Sequence, residues 1–143
     1  MPRSRRPEGV RELTHAGHDV VVQSGAGVGS AITDDDFVAA GAKILPDAGA
    51  VFAAAELIVK VKEPQPGEFE RFRADHVLFT YLHLAADTTL TAFLVDRGVR
   101  AIAYETVQMP DGKLPLLAPM SEIAGRMAPQ EGAKYLERPS GGR

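Results

Sequence analysis

Five short apolar runs punctuate the chain: "DVVVQ" (19–23), "AKIL" (42–45), "LIVKVK" (57–62), "HVLFTYL" (76–82) and "VRAIAYE" (99–105). Between them lie segments with helix start and stop signals. Pro7 suits the first helical position of a segment reaching Ala16, with Gly17 as its stop. Thr33 is an N-cap for a helix through Ala40, stopped by Gly41. Further helices are expected over 50–55, 66–73, 88–98 and 121–137, the last capped by Ser121. Strands that alternate with helices pair in parallel, and apolar strands of this kind need helices on both faces. The pattern therefore predicts an α/β chain with a mostly parallel, doubly wound (Rossmann-like or flavodoxin-like) sheet and a long C-terminal helix. The start is unusual, because such domains ordinarily open on a strand and this chain opens on a helix.

The composition excludes several classes. With 143 residues the chain is long enough for one domain with its own core. A net charge of -3 gives no basic surface for nucleic acid. Cysteine is absent, which removes disulfides, thiolate metal sites and a Cys nucleophile. No apolar run approaches the roughly 20 residues that span a bilayer, and "MPRSRRPEGV" is basic with no apolar stretch behind it, unlike a secretory signal. A cytoplasmic protein without membrane partners is expected. No Glu-x-x-His or His-x-x-x-His spacing points to a metal.

"VVVQSGAGVGSAITDDDF" (20–37) has the look of a phosphate-cradling loop but departs from one. The third glycine position of G-x-G-x-x-G holds Ser30, and the helix starts later, at Thr33. Its first turn carries Asp34, Asp35 and Asp36, which suit the helix dipole and repel phosphate. Asp47, downstream, follows Pro46 in a loop. A plain strand-to-helix turn is the expectation.

Chemistry-bearing residues gather at strand C-terminal ends, where open α/β sheets bind ligands. Lys60 and Lys62 alternate onto one side of their strand, and Lys62 sits at its end, able to grip an anion or to be an ordinary surface lysine. Tyr81 and His83 end the next strand, and His83 is either an acid/base or a half-buried structural histidine. Glu105 ends the fifth. Met120 is a pocket or core residue, and Ser121 an anion-facing or merely capping one. His15 and His18 are expected in solvent, and His76 in a structural role.

Four stretches, "LIVKVKEP", "LFTYLHLAAD", "IAYETVQ" and "LPLLAPMSEIAGRMA", together with the opening from Pro7, resemble in order and spacing the N-terminal part of alanine dehydrogenases. That family includes the alpha subunit of nicotinamide nucleotide transhydrogenases, and "PLLAPMSEIAGR" favours the dehydrogenase side. The resemblance implies that residues 1–143 are an incomplete substrate domain, with the NAD-binding domain outside the chain. It implies NAD-dependent conversion of L-alanine to pyruvate and ammonia in the complete enzyme, inactivity of this part alone, and a homo-oligomer. Lys62 would hold the substrate carboxylate or carbonyl, His83 would be the acid/base, Tyr81 and Met120 would line the pocket, and Ser121 would lie near the cofactor. The alternatives are a non-enzymatic 2-oxo acid binding module, a subunit partner of a full-length homologue, or a transhydrogenase fragment. Departures accompany the likeness. "MPRSRRP" stands where the family has a first strand and a carboxylate-binding arginine; Pro2 falls at the arginine's place, so Arg3, Arg5 or Arg6 would have to substitute. Pro129 is expected to interrupt the last helix at a cost of roughly 3 kcal/mol. A chain lacking that first strand should be aggregation-prone or fold against a partner.

Overall fold

The computed structural model describes residues 7–142. Pro2, Arg3, Arg5 and Arg6, and with them the question of a substitute arginine, lie outside the described residues.

Among the described residues five α-helices and five strands follow one another, with short 3-10 turns between them: α1 (Glu8–His15), β1 (Val21–Gln23), α2 (Asp34–Ala39), β2 (Lys43–Leu45), α3 (Ala48–Ala54), β3 (Leu57–Val59), β4 (Val77–Thr80), α4 (Thr88–Arg97), β5 (Arg100–Ala103) and α5 (Ala118–Leu136). All five expected strands form, and every pairing is parallel. They divide into a two-stranded sheet, β1-β2, and a three-stranded sheet, β3-β4-β5, instead of one continuous sheet. In the larger sheet buried Ile58 lies opposite buried Leu78, and Leu78 opposite exposed Ala101, so the buried layer spans β3 and β4 and ends at β5.

The core sits on one face of that sheet. Phe52 of α3, Ile58, Leu78, Leu82, and Leu90 and Leu94 of α4 pack with Phe72. Phe69 stacks on Phe93 at 4.0 Å, extending the cluster to its rim. Residues 66–73 do not make the α-helix expected of them. Pro66–Arg71 is a 3-10 turn, and the backbone turns extended at Phe72, whose side chain is driven into the core. His76 is fully buried: its Nδ1 accepts from Arg73 N–H at 3.1 Å and its Nε2 lies 3.1 Å from Phe52 O, a structural role. His15 and His18 are exposed.

The opposite face of the larger sheet is apolar and open. Leu57, Val59, Val61 and Ile102 are exposed large hydrophobics. Parallel sheets ordinarily carry cover on both faces.

α5 also differs from expectation. It starts at Ala118, not at Ser121, whose N–H is already bonded to Leu117 O at 3.2 Å; Ser121 is therefore inside the first turn and is not its cap. Pro119 is accommodated there because first-turn N–H groups have no helical acceptor. Pro129 lies within the helix, which continues past it to Leu136; the missing N–H costs a hydrogen bond without ending the element. No residue of α5 is buried.

Candidate functional site

The glycine loop closes on its own chain. Asp34, in the first turn of α2, accepts from the Gly25 N–H at 2.8 Å and from the Ser24 hydroxyl at 2.7 Å. Thr33 caps α2 by accepting the Asp36 N–H, and the Asp36 carboxylate accepts the Thr33 N–H in return, a full capping box. Two donors at the start of the loop, the Gly25 N–H and the Ser24 hydroxyl, are thus turned to an internal carboxylate. Gly27 is required for a different reason: a Cβ there would lie 2.5 Å from Ile32 O.

A second cluster forms where β3, β4 and β5 end. β3 stops at Val59, yet the ladder continues through Lys60 N–H to Phe79 O (3.2 Å) and Tyr81 N–H to Val61 O (3.3 Å). Thr80 is fully buried, and its hydroxyl donates to the carbonyls of Lys62 (2.9 Å) and Val61 (3.1 Å). This fixes the main chain that bears Lys62. Lys60 and Lys62 do not act as a same-side pair: Lys60 is drawn to Glu68, while Lys62 remains 76% exposed with its Nζ 3.6 Å from Glu63. Their different partners, not the strand's alternation, separate the two lysines.

Beyond β4 the chain is pinned by Leu82, which is buried in the core. His83 follows in the left-handed region, φ 50, a conformation few non-glycine residues hold unless their surroundings demand it. Those surroundings are the Glu105 carboxylate. It accepts the N–H of His83 at 2.8 Å and that of Leu82 at 3.1 Å. Burial pushes the Glu105 carboxyl up, but the N–H groups of His83, Glu105 itself and Leu82 and the nearby imidazole together hold it below its ordinary range. Glu105 lies in a short 3-10 turn, Tyr104–Thr106, directly after β5.

The His83 ring is near parallel to that of Tyr81, with centroids 6.1 Å apart. Its Nδ1 lies 3.7 Å from Glu63 Oε2. The Tyr81 hydroxyl donates to Leu116 O at 2.6 Å, tying this edge to the loop before α5. Lys62, Glu63, Tyr81, His83 and Glu105 therefore form one connected group at the C-terminal edge of the larger sheet. Met120 and Ser121 lie on α5, which begins two residues after Leu116, the acceptor of the Tyr81 hydroxyl. Met120 is half exposed rather than in the core. Ser121 lines an open groove of about 560 Å³ with Met109, Lys113, Leu114 and Leu117. Among the described residues no group of three or more His, Asp or Glu side chains could hold a metal.

Two contributors were not singled out as site residues by sequence, Glu63 and Thr80; Glu105 was noted at its strand end, but not as the clamp on His83. Glu63 reads as a strand terminator before Pro64, and Thr80 as one more residue of a β-branched run. Only the β3–β4 register brings Glu63 to His83, so no local signal marks it.

Comparison with known proteins agrees with this architecture. The family model described as alanine dehydrogenase/PNT, N-terminal domain, matches residues 4–124. An alanine dehydrogenase of Mycobacterium tuberculosis (strain CDC 1551 / Oshkosh) is 59% identical over 137 residues, which are 96% of this chain and 37% of that protein. One from Halomonas elongata is 56% identical over 95% of this chain and 37% of its own length. A solved L-alanine dehydrogenase superposes with a TM-score of 0.88 at 50% identity, covering 98% of this chain and 38% of the other. A transhydrogenase from Sinorhizobium meliloti gives 0.64 at 31% identity, over 68% of this chain and 29% of the other. The chain thus spans little more than a third of the length of the relatives it matches. It belongs to the alanine dehydrogenase/PNT N-terminal domain family.

Proposed function

We propose that this chain is the substrate-binding part of an NAD-dependent alanine dehydrogenase and that the Lys62–His83 edge holds L-alanine or pyruvate. The observation that supports it most is the convergence of Lys62 and His83 on Glu63 at a strand-end edge, with Lys62 and His83 open to solvent (76% and 60% exposed). A 2-oxo acid presents a carboxylate for an ammonium group and a carbonyl oxygen on which charge develops during reduction. A lysine and a histidine at one edge suit both demands. In this reading Lys62 binds the carboxylate or carbonyl and His83 exchanges the proton on the carbonyl or imine side. Tyr81 shapes the pocket from β4, Met120 adds an apolar wall from α5, and Ser121 faces NAD held by a nucleotide-binding domain. The setting is cytoplasmic and the assembly a homo-oligomer.

The experiment is calorimetric titration of the 143-residue chain with pyruvate, alongside Lys62→Ala and His83→Ala. Saturable binding that both substitutions abolish supports the reading. Binding indifferent to both would reject it.

A second reading, a subunit partner of a full-length homologue, is favoured by the open apolar sheet face of Leu57, Val59, Val61 and Ile102. Co-purification of the chain with a complete alanine dehydrogenase tests it.

A further inference from the structure

Glu63 is the innermost of the three charged groups at the sheet edge. Its side chain is 23% exposed, against 76% for Lys62 and 60% for His83. Its two oxygens are divided between them, Oε1 lying 3.6 Å from Lys62 Nζ and Oε2 3.7 Å from His83 Nδ1. Gln65 holds Glu63 from the other side, its Nε2 donating to Glu63 O at 3.0 Å and Oε1 at 3.3 Å. The groups facing His83 are Glu63 at Nδ1, the Tyr81 ring beside it and the Glu105 carboxylate at its main chain. Its Nε2 has no protein partner among the described residues.

We propose that Glu63 is a positioning residue: its carboxylate turns His83 so that Nδ1 faces inward and Nε2 faces the 2-oxo acid, while steadying the Lys62 ammonium beside it. The inference rests on the 2-oxo acid reading of this edge. The physical reason is that an imidazole cannot present a chosen nitrogen unless the other is engaged. A carboxylate at Nδ1 favours the proton there and leaves Nε2 as the atom that meets substrate. The Glu63 carboxyl stays charged for this task. Its own N–H bond holds it below its usual range; burial opposes this, and Lys62, the Gln65 side chain and His83 add to it. The separation of 3.7 Å shortens to a hydrogen bond once substrate orders the ring, as unliganded acid/base contacts commonly do. The ring is already restricted by Tyr81 and by the main-chain clamp from Glu105, so only rotation about the side chain remains for Glu63 to fix.

The test is ring-nitrogen NMR of the full 143-residue chain labelled with 15N-histidine, read on the alkaline plateau where the ring-nitrogen shifts no longer change with pH. Nitrogen shifts report directly which nitrogen carries the proton. The wild-type His83 ring is expected mostly as Nδ1–H, against the Nε2–H preference of a free side chain. Glu63→Gln is expected to return the majority to Nε2–H, and Glu63→Asp, which keeps the charge on a shorter arm, to retain part of the Nδ1–H form. A backbone amide spectrum of each variant separates misfolding from ring reorientation. A wild-type ring that is mostly Nε2–H, or a ring unaltered by Glu63→Gln, would overturn the proposal. Pyruvate added to the same samples separates this from the binding reading: His83 signals unmoved by pyruvate reject the 2-oxo acid reading even where the Glu63-dependent proton position is found.

Discussion

The Glu105 carboxylate accepts the His83 main-chain N–H at 2.8 Å and so joins the end of β5 to the end of β4. The join holds His83 at φ 50, a conformation that costs on the order of 1 kcal/mol for a residue with a Cβ. Glu105→Ala removes the acceptor for two N–H groups. Hydrogen bonds to charged groups contribute roughly 1.5–3 kcal/mol each, and solvent access to this half-buried edge lowers the figure. A loss of about 1–2 kcal/mol is expected, read by chemical denaturation. Glu105→Gln, which keeps an acceptor, should lose less.

The same contact sets a pH dependence. The Glu105 carboxyl is lowered in the folded chain, so its contribution to stability is fully present above the ordinary glutamate value of about 4.3. It fades as the pH falls below that value toward the lowered one. The stability gap between wild type and Glu105→Gln is therefore expected to be constant near neutrality and to close under acid. Unfolding curves at successive pH values measure it, and a gap that widens on acidification contradicts the charge assignment.

Thr80→Val tests what positions Lys62. The substitution is nearly isosteric and leaves the carbonyls of Lys62 and Val61 without the buried hydroxyl. A loss of about 1–3 kcal/mol is expected. The Lys62 amide should also exchange faster with solvent, while amides in α1 should not.

Gly27→Ala should destabilise by more than about 1 kcal/mol, because the new Cβ meets a backbone oxygen rather than a pliable side chain. By contrast, Gly29 has open space for one, and Gly29→Ala should be nearly neutral. Thermal unfolding of the pair distinguishes close approach from general loop flexibility. NAD is expected to leave the amide signals of Gly25, Gly27 and Gly29 unmoved, since Asp34 already takes the Gly25 N–H and the Ser24 hydroxyl and its carboxylate repels phosphate. Saturable shifts confined to those glycines would contradict this.

The open face of the larger sheet predicts self-association. Val59→Lys and Val61→Glu place charges among Leu57, Val59, Val61 and Ile102. Sedimentation should show the wild type associating with concentration and the double variant shifted toward monomer. A wild type that stays monomeric throughout contradicts the expectation.

The alternation of apolar runs with capped helices made five parallel strands legible, because strand burial and helix caps are local patterns. The Thr33 cap and the stop at Gly41 follow from single residues for the same reason. How the strands divide into two sheets was not legible: β1, β2 and β3 are three-residue strands of similar composition, and nothing in them specifies a partner. The Phe72 bend was hidden because its cause is burial against distant residues. Lys62, Tyr81 and His83 stood out as polar or reactive types at strand ends, and the fold gathers them. Glu63 did not, since its meaning comes from a residue 20 positions away. Met120 and Ser121 were noted from their place ahead of the long helix, whose start the sequence put three residues too late.

The most direct measurement is an amide and side-chain NMR map of the 143-residue chain titrated with pyruvate. Saturable shifts centred on Lys62, Tyr81 and His83, and absent in Lys62→Ala, are the expected result. No saturable shift, or shifts centred elsewhere and unaffected by Lys62→Ala, would contradict the assignment of this edge as the substrate site.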